Sequence, residues 1–245
     1  VINAGLELIM ENRYPKTFLV LLICLALFIG MGLALLVLSH SAAAAPTGTT
    51  IVVTATDGGT GGPECRLRDA VTAANNAATE GGCAVTGGAP FIIELADYKV
   101  YTFTVVDNPG VGGANALPVI ASDITIAGNG STIARYHLLG NDPAFRLFQV
   151  AVTGTLHLID VEINNGGSVM LGGGVYNLGK TEISDSQFIR NRATDGGGVF
   201  NQGTMTVTNS LFSNNFSGCG GAFFNLEPAK LTILGSDLVG NFADT

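Results

Sequence analysis

The stretch Gly172-Gly-Gly-Val-Tyr-Asn177 decides the reading of the fold, because it returns. Gly196-Gly-Gly-Val-Phe-Asn201 follows 24 residues later, and Gly220-Gly-Ala-Phe-Phe-Asn225 another 24 after that. A second element keeps the same step: Phe188-Ile-Arg-Asn191 and Phe212-Ser-Asn-Asn215 each end five residues before the next Gly pair or triplet. Self-similarity at a fixed period of about 20 to 50 residues marks a solenoid, whose repeats bury their apolar sides against one another. Between the glycine blocks, Thr155-Leu-His-Leu-Ile159, Lys180-Thr-Glu-Ile183, Met205-Thr-Val-Thr208 and Lys230-Leu-Thr-Ile233 alternate with the period of a strand. Ile163, Phe188, Phe212 and Leu238 then fall at equivalent positions. They are expected to stack in the interior at the strand spacing of about 4.8 Å.

The composition fits that reading. The 245 residues include 34 glycines and no tryptophan, and only 12 % are charged, which suits a turn-rich β protein rather than a helical one. Apolar content is too high and charge too low for disorder. A net charge of −8 argues against nucleic acid as a partner, since displacing counterions takes a basic patch. No Lys/Arg cluster follows the N-terminal segment, so an anionic membrane surface is not expected as a partner either.

Residues 1–45 read as an export segment. Arg13 and Lys16 precede an apolar run from Phe18 to Leu38, and Ser41-Ala-Ala-Ala-Ala-Pro46 supplies the small residues of a cleavage site. The 21-residue run would also span roughly 30 Å, so a retained anchor is the alternative to a cleaved signal. Membrane contact is expected only through this segment, if it is uncleaved. The chain opens on valine, and either Met10 or Val1 itself is the expected start.

After a strand expected over residues 47–56 and a Gly-rich turn from Asp57 to Pro63, the period changes. Leu67, Ala70, Val71 and Ala74 stand at i, i+3, i+4 and i+7, one face of a short amphipathic helix that Asn75 and Asn76 can end. This stretch, Cys65-Arg-Leu-Arg-Asp-Ala70, resembles the CSLREA motif found near the N-terminus of exported bacterial β-helix proteins, with Arg66 in place of Ser and Asp69 in place of Glu. The likeness continues through Gly81-Gly-Cys83, Pro90-Phe-Ile-Ile-Glu-Leu95, residues 98–104, Leu117 to Ile133 and Phe145-Arg-Leu-Phe-Gln-Val150. The Phe-x-x-Asn and Gly-Gly-(Ala/Gly)-Val pieces likewise resemble the polymorphic outer membrane protein repeat. Together the resemblances imply an all-β, right-handed parallel β-helix, a single-stranded solenoid with an N-terminal capping helix. The expected division is an export segment over 1–45, a cap over 47–110 and coils over 111–245. The repeat stops at Thr245 where another Gly triplet is due, so the C-terminal end reads as truncated.

Four cysteines are present, and Cys24 lies in the export segment. Cys65 and Cys83 flank the helix with 17 residues between them. In an exported protein they form either a bridge, worth about 3 kcal/mol by chain entropy, or two separate thiols. Cys219 is either a small buried residue or awaits a partner beyond the C-terminus.

Candidate chemistry is sparse. Asn177, Asn201 and Asn225 are expected to form an inward ladder at a turn. Tyr176, Phe200 and Phe224, next to inward Val175, Val199 and Phe223, are expected to face outward as a stacked stripe. If exposed, that stripe could carry sugar rings or a protein; otherwise the rings stack for stability or lie under a loop. Polysaccharide cleavage needs paired carboxylates or acids holding Ca²⁺ beside a base. Asp185, Asp195 and Asp237 lie in the repeats with Arg190 and Arg192 nearby, but Asp185 is matched in the next repeat by Asn209 and Asp195 by Cys219, so none is placed as catalytic. The polygalacturonase pieces Asn-Thr-Asp, Asp-Asp and Gly-His-Gly are missing. Asp57-Gly-Gly-Thr-Gly-Gly62 lacks the Lys-Ser/Thr of a phosphate loop and reads as a turn. His137 and His157 have no ligand at short spacing, and His40 lies in the export segment. No metal and no cofactor is expected. The function expected is an exported cell-surface or secreted adhesin passenger or stalk, non-catalytic, with a polysaccharide or a host or neighbouring cell surface as partner. A lyase or hydrolase of the pectate-lyase-like type is the alternative.

Overall fold

The structure, a computed structural model, describes residues 47–136, 143–168 and 170–244. Residues 1–46, which hold the expected export segment with Cys24 and His40, lie outside the described residues, as do His137 and Thr245. The N-terminal part runs β1 (Thr49–Val52), α1 (Leu67–Asn76), β2 (Phe91–Glu94), β3 (Val100–Phe103), β4 (Asp123–Arg135), β5 (Phe148–Val150) and β6 (Thr155–Asn164). Then the repeat takes over, and each glycine block opens a coil of four short strands. The first coil holds β7 (Val175–Asn177), β8 (Lys180–Ser184), β9 (Gln187–Ile189) and β10 (Arg192–Asp195). The second holds β11 (Val199–Asn201), β12 (Thr204–Thr208), β13 (Leu211–Ser213) and β14 (Phe216–Cys219). The third holds β15 (Phe223–Asn225), β16 (Lys230–Leu234), β17 (Asp237–Val239) and β18 (Phe242–Ala243).

Every pair among the described strands is parallel; one sheet runs from β1 to β16 along the stack, and two shorter ones, β5-β7-β11-β15 and β10-β14-β18, line the later coils. The chain is a parallel β-helix, as the repeat and the resemblance predict. The period is 24 through β12 and β15; then Leu226-Glu-Pro-Ala229 adds two residues, and Thr204 pairs with Lys230 at a step of 26.

Alternation along each strand sends one set of side chains inward, and parallel register stacks like on like. Ile124, Leu156, Thr181 and Met205 form one buried column; Ile126, Leu158, Ile183 and Val207 form the next. The expected column Ile163, Phe188, Phe212 and Leu238 is present, with Phe188 and Phe212 stacked at 4.6 Å between ring centroids. Leu238, in the last coil, is 49 % exposed.

The glycines answer two geometric needs. Gly172, Gly196 and Gly220 have φ of +61°, +67° and +71°, a left-handed turn that L side chains resist. A Cβ on the next residue, Gly197, would lie 2.5 Å from the Phe216 carbonyl oxygen of the following coil, so neighbouring backbones fit only without it. The other two corners of each coil are also left-handed, at Asp185/Asn209/Gly235 and Arg190/Asn214/Gly240. Asp and Asn tolerate that geometry because their short polar side chains bond locally; Arg190 has no such device.

At the N-terminal end, α1 turns Leu67, Ala70, Val71, Ala73 and Ala74 into the hydrophobic core shared with β1, β2 and the coils. It ends at Asn76, with Ala77 left-handed and its N–H returned to Ala73 and Ala74. Among the described residues no helix is long and apolar enough to cross a membrane.

Candidate functional site

The six residues of the CSLREA-like motif all serve the cap. Cys65 is bridged to Cys83. Arg66 pairs with Asp57 at 2.8 Å, which holds the Asp57 carboxyl below the usual range through that hydrogen bond first. Arg68 is buried and donates from Nε to the Ala116 carbonyl at 2.7 Å, with another hydrogen bond from Nη2 to the Val105 carbonyl. Asp69 accepts the Gly61 N–H at 2.9 Å, so the glycine-rich turn 57–62 is pinned from both sides. Asn75, at the end of α1, accepts from the backbone N–H of Ala121 at 2.9 Å and donates to the Val119 carbonyl at 2.8 Å. These contacts join cap to first coils.

Polar ladders line the coil corners. The Asn177 amide donates to Asn201 at 2.7 Å and Asn201 to Asn225 at 2.7 Å, as the spacing predicts. A second ladder, Asn191 to Asn215 to Asn241, spans another corner at 3.0 and 2.8 Å. At the third corner, the Ser210 hydroxyl accepts the N–H of Ser186, and Ser236 accepts that of Ser210.

The aromatic stripe forms in register, Tyr176 to Phe200 to Phe224, but it is not open. Tyr176 and Phe200 are only 3 % and 4 % exposed, and Phe224 alone is half-buried. The Tyr176 ring lies under the Arg146 guanidinium, 5.0 Å away, and its hydroxyl donates to Gln202. Gln149, the coil neighbour of Tyr176, is itself covered by the 107–115 loop, whose Asn115 donates to it at 3.0 Å. Of the two arrangements the sequence left open, the structure has the closed one: the rings stack on one another, and the loop closes the start of the stripe. Burial pushes the Tyr176 hydroxyl above its ordinary pKa and brings Arg146 down to about 10.

Cys219 is also not buried. It is an exposed free thiol at the end of β14, opposite Asp195, where the backbone turns at Gly220.

Two constellations arise only through stacking. On the outer face of the first sheet, His157 lies between two carboxylates from neighbouring coils. Its Nδ1 is 2.9 Å from Glu182 and its Nε2 3.2 Å from Asp123, while Lys180 reaches Glu182 at 2.6 Å. The Lys180 hydrogen bond, with His157 adding to it, holds the Glu182 carboxyl below its ordinary range. A neutral imidazole has one N–H, so only imidazolium can donate to both carboxylates. A short groove of about 130 Å³ opens beside His157 and Glu182, bordered by Thr206 and Thr208.

On the flank formed by β10, β14 and β18, a larger groove of about 460 Å³ lies between Arg135 and Arg192, with Ser168, Thr194, Phe216 and Gly218 along it. The Arg192 guanidinium rests on the Phe216 ring at 4.6 Å, and Phe216 stacks on Phe242 at 5.5 Å. Arg135 lies over Phe145 and donates to the carbonyls of Asn165 and Pro143. Asp185 and Asp237, two coils apart, border a third groove of about 270 Å³ at a corner. Among the described residues no group of three or more His, Cys, Asp or Glu side chains is placed to hold a metal ion.

Comparison with family models, with curated proteins and with solved structures gives no match to this chain.

Proposed function

We propose that this chain is an exported, non-catalytic β-helix, an adhesin passenger or stalk that holds outward side chains in rigid columns. The observation that carries the reading is the set of hydrogen-bonded Asn and Ser ladders running through successive coils at all three corners. Such ladders satisfy buried polar groups from one coil to the next and so fix register along the whole stack. Export is supported by the Cys65–Cys83 bridge, which belongs with oxidising compartments, and by the apolar run and alanine-rich site of residues 18–45. The likeness of Cys65 to Ala70 to the CSLREA motif and of the coils to the polymorphic outer membrane protein repeat points the same way. Intact cells making the full chain with a C-terminal tag, treated with a protease, test it. The tag is expected to be lost without lysis; a tag protected until the cells are broken refutes export to the surface.

The polysaccharide lyase or hydrolase reading has one observation in its favour, the Asp123–His157–Glu182 row. Release of unsaturated or reducing ends from pectin or alginate, abolished by Glu182→Gln, would replace the scaffold reading with this one.

A further inference from the structure

We propose that the groove on the β10–β14–β18 flank binds an acidic glycan along the solenoid axis, with the sugar's carboxylate or sulfate groups held by Arg192. This goes beyond the scaffold reading and does not depend on export.

The groove's volume, about 460 Å³, lies in the range of small-ligand sites. Its long direction crosses coils: Gly167 pairs with Arg192, Arg192 with Phe216 and Phe216 with Phe242, each step one strand spacing of about 4.8 Å. An extended polymer laid on this column meets equivalent positions in succession.

Arg192 is the anchor. The Phe216 ring supports one face of its guanidinium, and Phe242 supports Phe216 from behind. Stacking restrains the side chain while leaving the N–H edge of the fork outward, the geometry that takes an oxyanion bidentately. Arg192 is exposed and forms no ion pair among the described residues. The chain as a whole carries −8, yet Arg192 brings its charge to a groove with no described carboxylate in its lining. An exposed cation on an acidic body draws an anionic group to that point, while the rest of the surface repels it.

The remaining lining favours sugar. Ser168 brings a hydroxyl to the groove, and Gly218 lines it where neighbouring backbones run close, a Cβ there lying 2.9 Å from the Thr194 carbonyl oxygen. Hydroxyls and backbone amides pair with sugar hydroxyls, and the edge of Phe216 offers apolar contact to ring C–H groups.

Calorimetric titration of the purified full chain tests the site with four probes: polygalacturonate, a sulfated galactan, fully methyl-esterified polygalacturonate and sodium sulfate. At least one acidic polymer is expected to bind, and which one identifies the anionic group; the neutral ester is expected not to bind. Arg192→Gln should weaken binding about tenfold or more, the cost of a lost charge-assisted hydrogen bond, and Arg192→Lys should restore only part of it. Lys180→Gln, on a different sheet, should change nothing. Both Arg192 variants are checked for an unchanged melting point, and Phe216→Leu gives a second route to the same loss. The proposal is overturned if neither acidic polymer binds, or if the ester binds equally. It is also overturned if sodium sulfate competes at equal charge concentration, or if Arg192→Gln leaves affinity intact in a folded protein.

Discussion

Single side chains matter here because each one is part of a column. Phe212 is fully buried, stacked on Phe188 and tilted against Phe223 at 4.2 Å. Phe212→Ala removes the middle of that column and should cost about 3–5 kcal/mol in urea unfolding. Asn201 is a different kind of core residue. It accepts from Asn177 and from the Gly203 N–H, and donates to Asn225 and to the Lys230 carbonyl. Asn201→Ala leaves the buried Asn177 amide short of an acceptor and should cost about 1–3 kcal/mol for each partner stranded. Asn201→Asp is expected not to rescue it, because a carboxylate accepts but cannot donate onward. The stripe residues teach a related point. Tyr176 was legible as outward-facing from alternation alone, yet its burial was not, because the loop that covers its neighbourhood, 107–115, lies outside the repeat.

Among the elements, α1 and the His157 row depend on contacts that cross large sequence distances. The helix is held by the Cys65–Cys83 bridge, by Arg68 and by Asn75. Replacing both cysteines by serine should lower stability by about 3 kcal/mol, with amides of Leu67–Asn76 losing hydrogen-exchange protection before those of the coils. Between β6 and β8, Glu182 supplies a pH-dependent contribution. Its carboxyl pKa is depressed in the folded chain, so its stabilisation is complete above the unfolded value and is lost as pH falls through the lower, folded one. Glu182→Gln should therefore flatten the acid limb of the melting-temperature profile, and added salt should shrink the difference, since the pair is partly exposed. This row escapes a reading by local ligand spacing. Asp123 and His157 are 34 residues apart and His157 and Glu182 are 25 apart, so only the stacking of coils makes them neighbours. The Arg192 column was within reach: Phe216 follows Arg192 by the same 24 residues as the glycine blocks.

For the whole molecule, one register generates the buried columns, the polar ladders, the His157 row and the Arg192 groove. The glycine triplets, the strand alternation and the helix face made that architecture readable, because a repeat imposes the same steric demand at each coil. What faces the surface was less readable, since it depends on non-repeating loops and on which neighbouring column each side chain meets. Register can be measured by cross-linking. In a Cys219→Ser background, Thr206→Cys with Thr232→Cys places two outward thiols on paired positions of β12 and β16. Parallel neighbours about 4.8 Å apart fall within disulfide reach, whereas Thr206→Cys with Leu234→Cys sets the pair two residues out of step, at roughly 8 Å. Mass spectrometry after mild oxidation should find an intramolecular bridge for the first pair and none for the second. Equal yields from both pairs, or no bridge in the first, would contradict the stacked β-helix on which every other statement rests.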